Sequence, residues 1–197
     1  MRLLAFSDLH LDRERAERVV ELATAADVVV GAGDYATMRT GLDGMMETLR
    51  AITVPTVLVP GNAESDTELW RACAVWPSAE VLHGQAKEIA GVEFFGLGGA
   101  VPPTPFPWSF DLSEDEAAAQ LEGCPERAVL VVHSPPRGYV DEVHGRHLGS
   151  TSVLDVIERK RPALVLCGHI HQCWGREATI GTTPVLNVGA DGRLLEI

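Results

Sequence analysis

The sequence predicts an α/β fold, layered around a mixed sheet or two stacked sheets. Three observations carry this. Short apolar runs of strand length alternate with stretches whose apolar residues recur at helical spacing. The later segments Gly91–Gly99 and Glu177–Ile197 are instead rich in short strands and turns. At 197 residues, 46% apolar and 22% charged, the chain has the composition of an ordinary globular domain.

Taken in order, Leu3–Phe6, Val28–Val30, Val57–Val59, Val129–Val132 and Leu164–Leu166 read as strands covered on both faces, because they are continuously apolar rather than alternating. Arg13–Ala25 reads as a helix with Val19, Val20, Leu22 and Ala23 marking its inner face, and Leu42–Ala51 as another marked by Met45, Met46 and Leu49. Ser65–Val75 and Ser113–Leu121 are also helical. The second opens on a capping box, Ser113 with Glu116 three residues on. Ser152–Arg159 forms a further helix that Pro162 closes off from the strand behind it. Ala190-Asp191-Gly192-Arg193 carries the signal of a hairpin turn. Pro102–Pro107 is a proline-rich loop leading to Trp108 and Phe110, expected at the surface, with a role as a wall of a ligand cleft as the alternative.

The bulk charge limits the partners. With 16 Lys and Arg against 28 Asp and Glu, the net charge is −12. Such a surface repels polyanions, which argues against general nucleic-acid binding and against an anionic membrane. A small phosphate ester is not excluded, because a bound cation would dominate its local field. The opening apolar run Leu3–Phe6 meets Ser7-Asp8 too soon for a signal peptide, and no stretch reaches membrane-span length. Cys73, Cys124, Cys167 and Cys173 form no CxxC pair and read as packing thiols. A cytoplasmic protein is expected. Nothing in the sequence fixes its oligomeric state, and a homo-oligomer stays open.

Polar residues gather where the apolar runs stop. Asp8-Leu9-His10 follows the first strand, Gly33-Asp34 the second and Gly61-Asn62-Ala63-Glu64 the third. His133-Ser134-Pro135-Pro136 follows Val129–Val132, and Gly168-His169-Ile170-His171 follows Leu164–Cys167. Two Asp, one Asn and four His thus reach one sheet edge, the carboxyl edge at which open α/β sheets bind ligands. In extended backbone, residues i and i+2 project to one side, so Asp8 with His10, and His169 with His171, would approach one centre or two adjacent ones. Carboxylate, amide and imidazole without thiolate suit Mn²⁺, Fe or Zn²⁺. Seven groups exceed one tetrahedral site and suffice for two ions. A lone DxH or HxH is usually structural; five such pieces, each directly behind an apolar run, are not.

As a set, Asp8-Leu9-His10, Gly33-Asp34, Gly61-Asn62, His133 and Gly168-His169-Ile170-His171 resemble the signature of the calcineurin-like metallophosphoesterases, across nearly the whole chain. The stretch from His133 to Tyr139 is similar to the small metallophosphoesterase-domain, 239FB-like, phosphodiesterase branch. The resemblance implies a single domain over residues 1–197, built as a four-layer α/β/β/α sandwich with two mixed sheets. It implies two divalent ions, Mn²⁺ first and Fe or Zn²⁺ next. Asp8, His10 and His171 would hold one, Asn62, His133 and His169 the other, and Asp34 would bridge them. The implied reaction is hydrolysis of a small phosphodiester, nucleotides included, by in-line attack of a hydroxide held at that centre.

One position departs from the signature. Where the family carries a His after the Asn, assigned to the leaving group, this chain has Ala63, and a methyl transfers no proton. A replacement is sought in the Gly-punctuated stretch Gly138–Gly149, which holds Tyr139, His144, Arg146 and His147. His147 or Arg146 would contact phosphate or donate the proton, against the plain alternative of a solvated loop. The catalytic candidates are therefore Asp34, Asn62 and His147. A phosphomonoesterase or nucleotidase on the same centre, and an interaction scaffold whose catalysis has faded, are the competing functions. His83 is expected to be an ordinary strand-end residue.

Overall fold

The computed structural model describes residues 1–197. In chain order the elements are β1 (Arg2–Phe6), α1 (Arg13–Ala23), β2 (Val28–Gly31), α2 (Leu42–Leu49), β3 (Thr56–Leu58), α3 (Asp66–Cys73), β4 (Ala79–Val81), β5 (Gln85–Ile89) and β6 (Val92–Leu97). There follow α4 (Glu114–Leu121), β7 (Val129–Val132), β8 (Glu142–Val143), β9 (Arg146–His147), α5 (Thr151–Lys160), β10 (Leu164–Cys167), a 3-10 turn (His171–Cys173), β11 (Glu177–Ile180), β12 (Thr183–Asn187) and β13 (Arg193–Glu196).

The apolar runs are apolar at every position because each strand has two buried faces. Leu4 and Phe6 of β1, Val29 of β2 and Leu58 of β3 pack outward, in one cluster with Val19 of α1, Met45 and Leu49 of α2 and Leu69 of α3. Their alternates Leu3, Ala5, Val28, Val30 and Val57 pack inward, against Val129 and Val131 of β7 and Leu164 and Leu166 of β10. Leu130 and Val132 of β7 and Val165 and Cys167 of β10 face the other way, onto Ala117 and Leu121 of α4 and Val153, Val156 and Ile157 of α5. Two-residue alternation thus builds three apolar layers between four structural ones. The result is an α/β/β/α sandwich.

Both sheets are mixed. The first runs β13-β1-β2-β3-β4, parallel except for β13, which pairs antiparallel to β1 in the register Leu3↔Leu195. The second runs β11-β12-β10-β7-β6-β5, parallel at its centre and antiparallel at both edges. The parallel strands β1, β2, β3, β7 and β10 therefore end on one side of the molecule, where the polar motifs lie.

Helix starts follow local chemistry. The Ser113–Glu116 capping box is formed, and Ser65 with Glu68 forms a second one at α3. Asp12 caps α1 by accepting from the Arg15 amide. The Ala190–Arg193 turn differs from expectation. It is a turn, but β12 before it and β13 after it belong to different sheets, so it crosses between sheets and closes no hairpin. Turn residues specify a reversal of the chain, whereas the partner is chosen by which sheet offers an open edge. The tight hairpins are β5–β6, through Ala90-Gly91, β8–β9, through His144-Gly145, and β11–β12, through Gly181-Thr182; the first two have both central residues at positive φ. No helix is long and apolar enough to cross a membrane. All four cysteines are free and buried.

Leu166 is fully buried in the layer between the sheets, on the strand that leads to His169. Leu166→Ala is expected to lower unfolding free energy by about 2–5 kcal/mol in urea titrations. Leu194→Ala, on the 43%-exposed face of β13, should change it by about 0.5 kcal/mol or less. A loss below about 1 kcal/mol at Leu166 would mean that the two sheets are not tightly packed there.

Candidate metal centre

Five strand ends converge on two adjacent groups of side chains. In the first, ligand-type atoms of Asp8, His10 and His171 lie within 4.8 Å of one another; in the second, so do those of Asp34, His133 and His169. Asn62 joins the second, its Oδ1 3.1 Å from His133 Nε2. Its Nδ2 donates to Ser109 Oγ at 3.0 Å, which turns the amide oxygen toward the centre.

The backbone that delivers these residues is not extended. Asp8, His10, Asp34 and His169 all have left-handed φ, at 55°, 43°, 59° and 65°. Asp8 and His10 meet in one group even so, and of the two arrangements open to His169 and His171, one centre or two adjacent ones, the second is found. His169 and His171 part company, one to each group, because the chain reverses at His169 before the 3-10 turn. Left-handed backbone at a non-glycine residue costs on the order of 1 kcal/mol, and such residues persist only where surrounding bonds hold them. Here His10 N donates to Asp34 O, Asp8 N to Gly33 O and Gly168 N to His133 O, tying the strand ends together.

Asp34 stands between the groups. Its Oδ2 is 3.4 Å from His10 Nε2 and its Oδ1 is 3.5 Å from His133 Nε2. Oδ1 also accepts the Ala63 amide at 2.8 Å. Residue 61 must be glycine, since a Cβ there would come within 2.0 Å of Asp34 Oδ1. Beneath Asp34 lies Glu64, fully buried, whose carboxylate accepts the amides of Asp34 (2.8 Å), Gly61 (2.6 Å) and Ala36 (2.9 Å). Sequence reasoning gives Glu64 no functional role; its adjacency to Asn62 is the only signal, and its clamp on three amides is a tertiary fact.

The tautomers suit metal ligation. His133 Nδ1 donates to Ala32 O at 2.8 Å and His10 Nδ1 to Ala36 O at 3.1 Å, so that in the neutral rings both Nε2 atoms are lone pairs facing the centre. His10 Nε2 and His171 Nε2 are only 3.1 Å apart. Two nitrogens each about 2.1 Å from a shared ion would stand roughly 3 Å apart, so the donor set fits a divalent cation.

Burial and neighbours shift the protonation of the metal-free site. Burial opposes both charges, yet Asp34 and His133 stabilise each other, so Asp34 is held well below the usual carboxylate range and His133 is pushed up to about 9. Burial, with His133 beside it, drives His169 down to about 3. Burial, with Asp34 nearby, raises Asp8 and brings Glu64 up to about 7.

The remaining candidates lie outside the two groups. His147 is on β9, with Nδ1 2.7 Å from Asp141 Oδ1; Asp141 is 1% exposed, and its Oδ2 accepts the amides of Gly138 and Gly149. The β8–β9 hairpin packs beside the His171 turn, where Cys173 Sγ meets Glu142 O at 3.4 Å. Arg146 and His144 are exposed on that hairpin. Ala63 is fully buried within the first core cluster, so its methyl serves packing. The proline-rich loop is exposed but tethered to the site, since Phe110 N donates to Asn62 O. Trp108 packs on the first core cluster, with Phe106 stacked on it at 5.3 Å. His83 is a strand-end residue, its Nδ1 accepting the Gly98 amide.

The raised basicity of His133 couples stability to pH. A histidine whose folded pKa is raised stabilises the fold fully below its unfolded value near 6.5, and that contribution is lost as pH rises through about 9. Chelator-treated protein should therefore lose about 1 kcal/mol of unfolding free energy between pH 7.5 and 8.5. His133→Gln should flatten this slope. An unchanged slope in the variant would show that His133 is not the group holding the proton.

The comparisons with known proteins agree with this geometry. Residues 1–195 match the Calcineurin-like phosphoesterase superfamily domain. The human Metallophosphoesterase domain-containing protein 1 is 29% identical over 135 residues, 66% of this chain and 39% of that protein. A UPF0046 protein of Caenorhabditis elegans is 31% identical over 102 residues, 52% of this chain and 35% of that protein. The matched residues thus span little more than a third of either curated relative. The crystal structure of TT1561 of Thermus thermophilus superposes with a TM-score of 0.79 at 22% identity, over 96% of this chain and 90% of that one. With two stacked mixed sheets, five helices and His/Asp groups at the strand ends, the chain belongs to the calcineurin-like metallophosphoesterase superfamily.

Proposed function

We propose that the protein is a metal-dependent phosphodiesterase acting on small diesters, nucleotide diesters included, in the cytoplasm. The observation that carries this is Asp34, one buried carboxylate whose two oxygens face two separate histidine-containing groups. Asp8, His10 and His171 would hold one divalent ion, and Asn62, His133 and His169 the other, with Asp34 shared; Mn²⁺ suits this donor set, as do Fe and Zn²⁺. Two ions held there would supply an acidified water for in-line attack and neutralise charge on the phosphoryl oxygens.

The chain's own residues do the rest. Asn62, fixed by Ser109, presents its amide oxygen to the second group. Glu64 holds three backbone amides so that Asp34 keeps its place. The leaving group needs a proton, and Ala63 supplies none. We assign that role to His147: buried Asp141 fixes its Nδ1, which leaves Nε2 free on a ring whose side chain is 44% exposed. A carboxylate that orients a histidine in this way selects the tautomer that exchanges protons at the other nitrogen.

Metal-stripped protein titrated with Mn²⁺ is expected to hydrolyse an activated aryl phosphodiester with saturable metal dependence, and Asp34→Asn should abolish it. Activity confined to aryl phosphomonoesters would assign the centre to a phosphomonoesterase. Bound metal with no hydrolysis of either would point to an interaction scaffold.

His147→Ala should cut turnover of alkyl diesters, which need a proton donor, by about 10²-fold or more. Turnover of activated aryl diesters should fall far less, and metal content should not change. Equal turnover of both substrate types in the variant would return the hairpin to a structural role.

A further inference from the structure

We propose that Trp174 is a positioning residue of the first site, holding Asp8 so that only one of its oxygens is offered to the ion. The inference rests on the two-metal reading above. Asp8 is 1% exposed, and its oxygens are unequally used. Oδ2 accepts the Ser7 hydroxyl at 2.5 Å and the Trp174 Nε1–H at 3.1 Å. The His169 amide leans on both oxygens, at 3.0 Å to Oδ1 and 3.2 Å to Oδ2. Oδ1 is thus the less encumbered atom, and it is the one facing His171 Nε2, 3.8 Å away. Two side-chain donors on Oδ2 take up its lone pairs and fix the plane of the carboxylate, which leaves Oδ1 as a single-oxygen ligand.

The same indole reaches a second member of the group. Its ring lies 4.7 Å from the His171 imidazole, tilted by 39°, and its backbone N–H donates to His171 O. One side chain therefore braces two of the three candidate ligands of this site and none of those of the other.

The tryptophan is itself held. The Arg15 guanidinium sits 5.3 Å from its ring centroid, a cation–π contact. Arg15 in turn is paired with Asp12 and Asp191, at 3.6 and 3.3 Å. Opposite, Gly189 at φ 69° allows the ring to approach, since a Cβ there would stand 2.7 Å from Trp174 Cγ. Gly189 O also accepts the Ser7 amide, so the residue that makes room for the indole anchors the other donor to Asp8. Position 174 lies outside every metal-ligand motif. Its place in the site comes from contacts to Asp8, 166 positions away.

Trp174→Phe keeps a ring against His171 and under Arg15 and removes only the N–H. Manganese binding to chelator-stripped protein, followed by calorimetry and by metal retained at fixed free Mn²⁺, reads the effect. Wild-type protein should hold two ions per chain. In Trp174→Phe one of the two affinities should fall about 10–100-fold while the other stays within about twofold. In a His10→Ala background, which already cripples the first site, adding Trp174→Phe should leave the remaining affinity unchanged. Two wild-type affinities in Trp174→Phe would overturn the proposal, as would equal loss at both sites or a further loss in the His10→Ala background. Failure of the wild-type protein to hold two ions would instead overturn the two-metal reading, and this proposal with it.

Discussion

The structure around the strand ends is organised by one difficulty, a buried carboxylate that must stay charged. Asp34 is 3% exposed and acidic Glu64 and Asp8 are close enough to act on it electrostatically, so burial and like charge both favour its protonation. It stays ionised because His133 and His10 face its two oxygens and the Ala63 amide donates to one of them. In the metal-free protein the compensating charge is the proton on His133. A divalent ion held in the second group would have to displace that proton, since imidazole binds metal only when neutral. Proton and metal would then compete for the same place.

That requirement explains why so much backbone is bent out of its preferred range there. A parallel strand leaves the sheet heading outward, and a ligand one or two residues past its end would point into solvent if the chain simply continued. Left-handed φ at Asp8, His10, Asp34 and His169 turns three strand exits, those of β1, β2 and β10, back over the sheet edge. The strain is held by cross-strand bonds such as Asp8 N to Gly33 O, and by Glu64, which satisfies three amides that the turning chain would otherwise bury unpaired. Rigid sheets underneath, apolar on both faces, supply the platform. The site is precise because the layers below cannot give.

The sequence revealed those parts of the molecule whose information is local. β1, β2, β3, β7 and β10 were legible because two buried faces make every residue apolar, and the polar clusters because each directly follows such a run. By contrast, β5 is largely exposed and β8 and β9 are two residues each, so no apolar pattern marks them. Asp191-Gly192 announced a reversal but not which sheet would receive the next strand. The separation of His169 from His171 depends on backbone angles that spacing does not encode. Glu64 escaped for another reason: its clamp depends on bonds to Asp34 and Ala36, 30 and 28 positions away, and a Glu in a turn carries no pattern of its own.

The position after Asn62 is where this chain departs from the signature it otherwise resembles. A histidine there must project into the cleft to reach a leaving group. In this chain the Ala63 side chain is instead buried within the first core cluster. The metal ligands need not move, because Asn62 and Glu64 on either side keep their bonds. What is lost is a mobile proton near the leaving oxygen, and a proton donor is bound to no particular strand. It needs an orienting partner, access and reach of the leaving oxygen. Asp141 and His147 meet the first two, on a hairpin that packs beside the turn carrying His171 and that Asn187 ties to Gly168 and Ile170 through bonds to Val140 O, Gly168 O and Ile170 O. A donor entering from the His171 side rather than from behind Asn62 would favour substrates whose leaving group lies toward the hairpin. The shape of that approach, more than the metal centre, would then decide which diesters react.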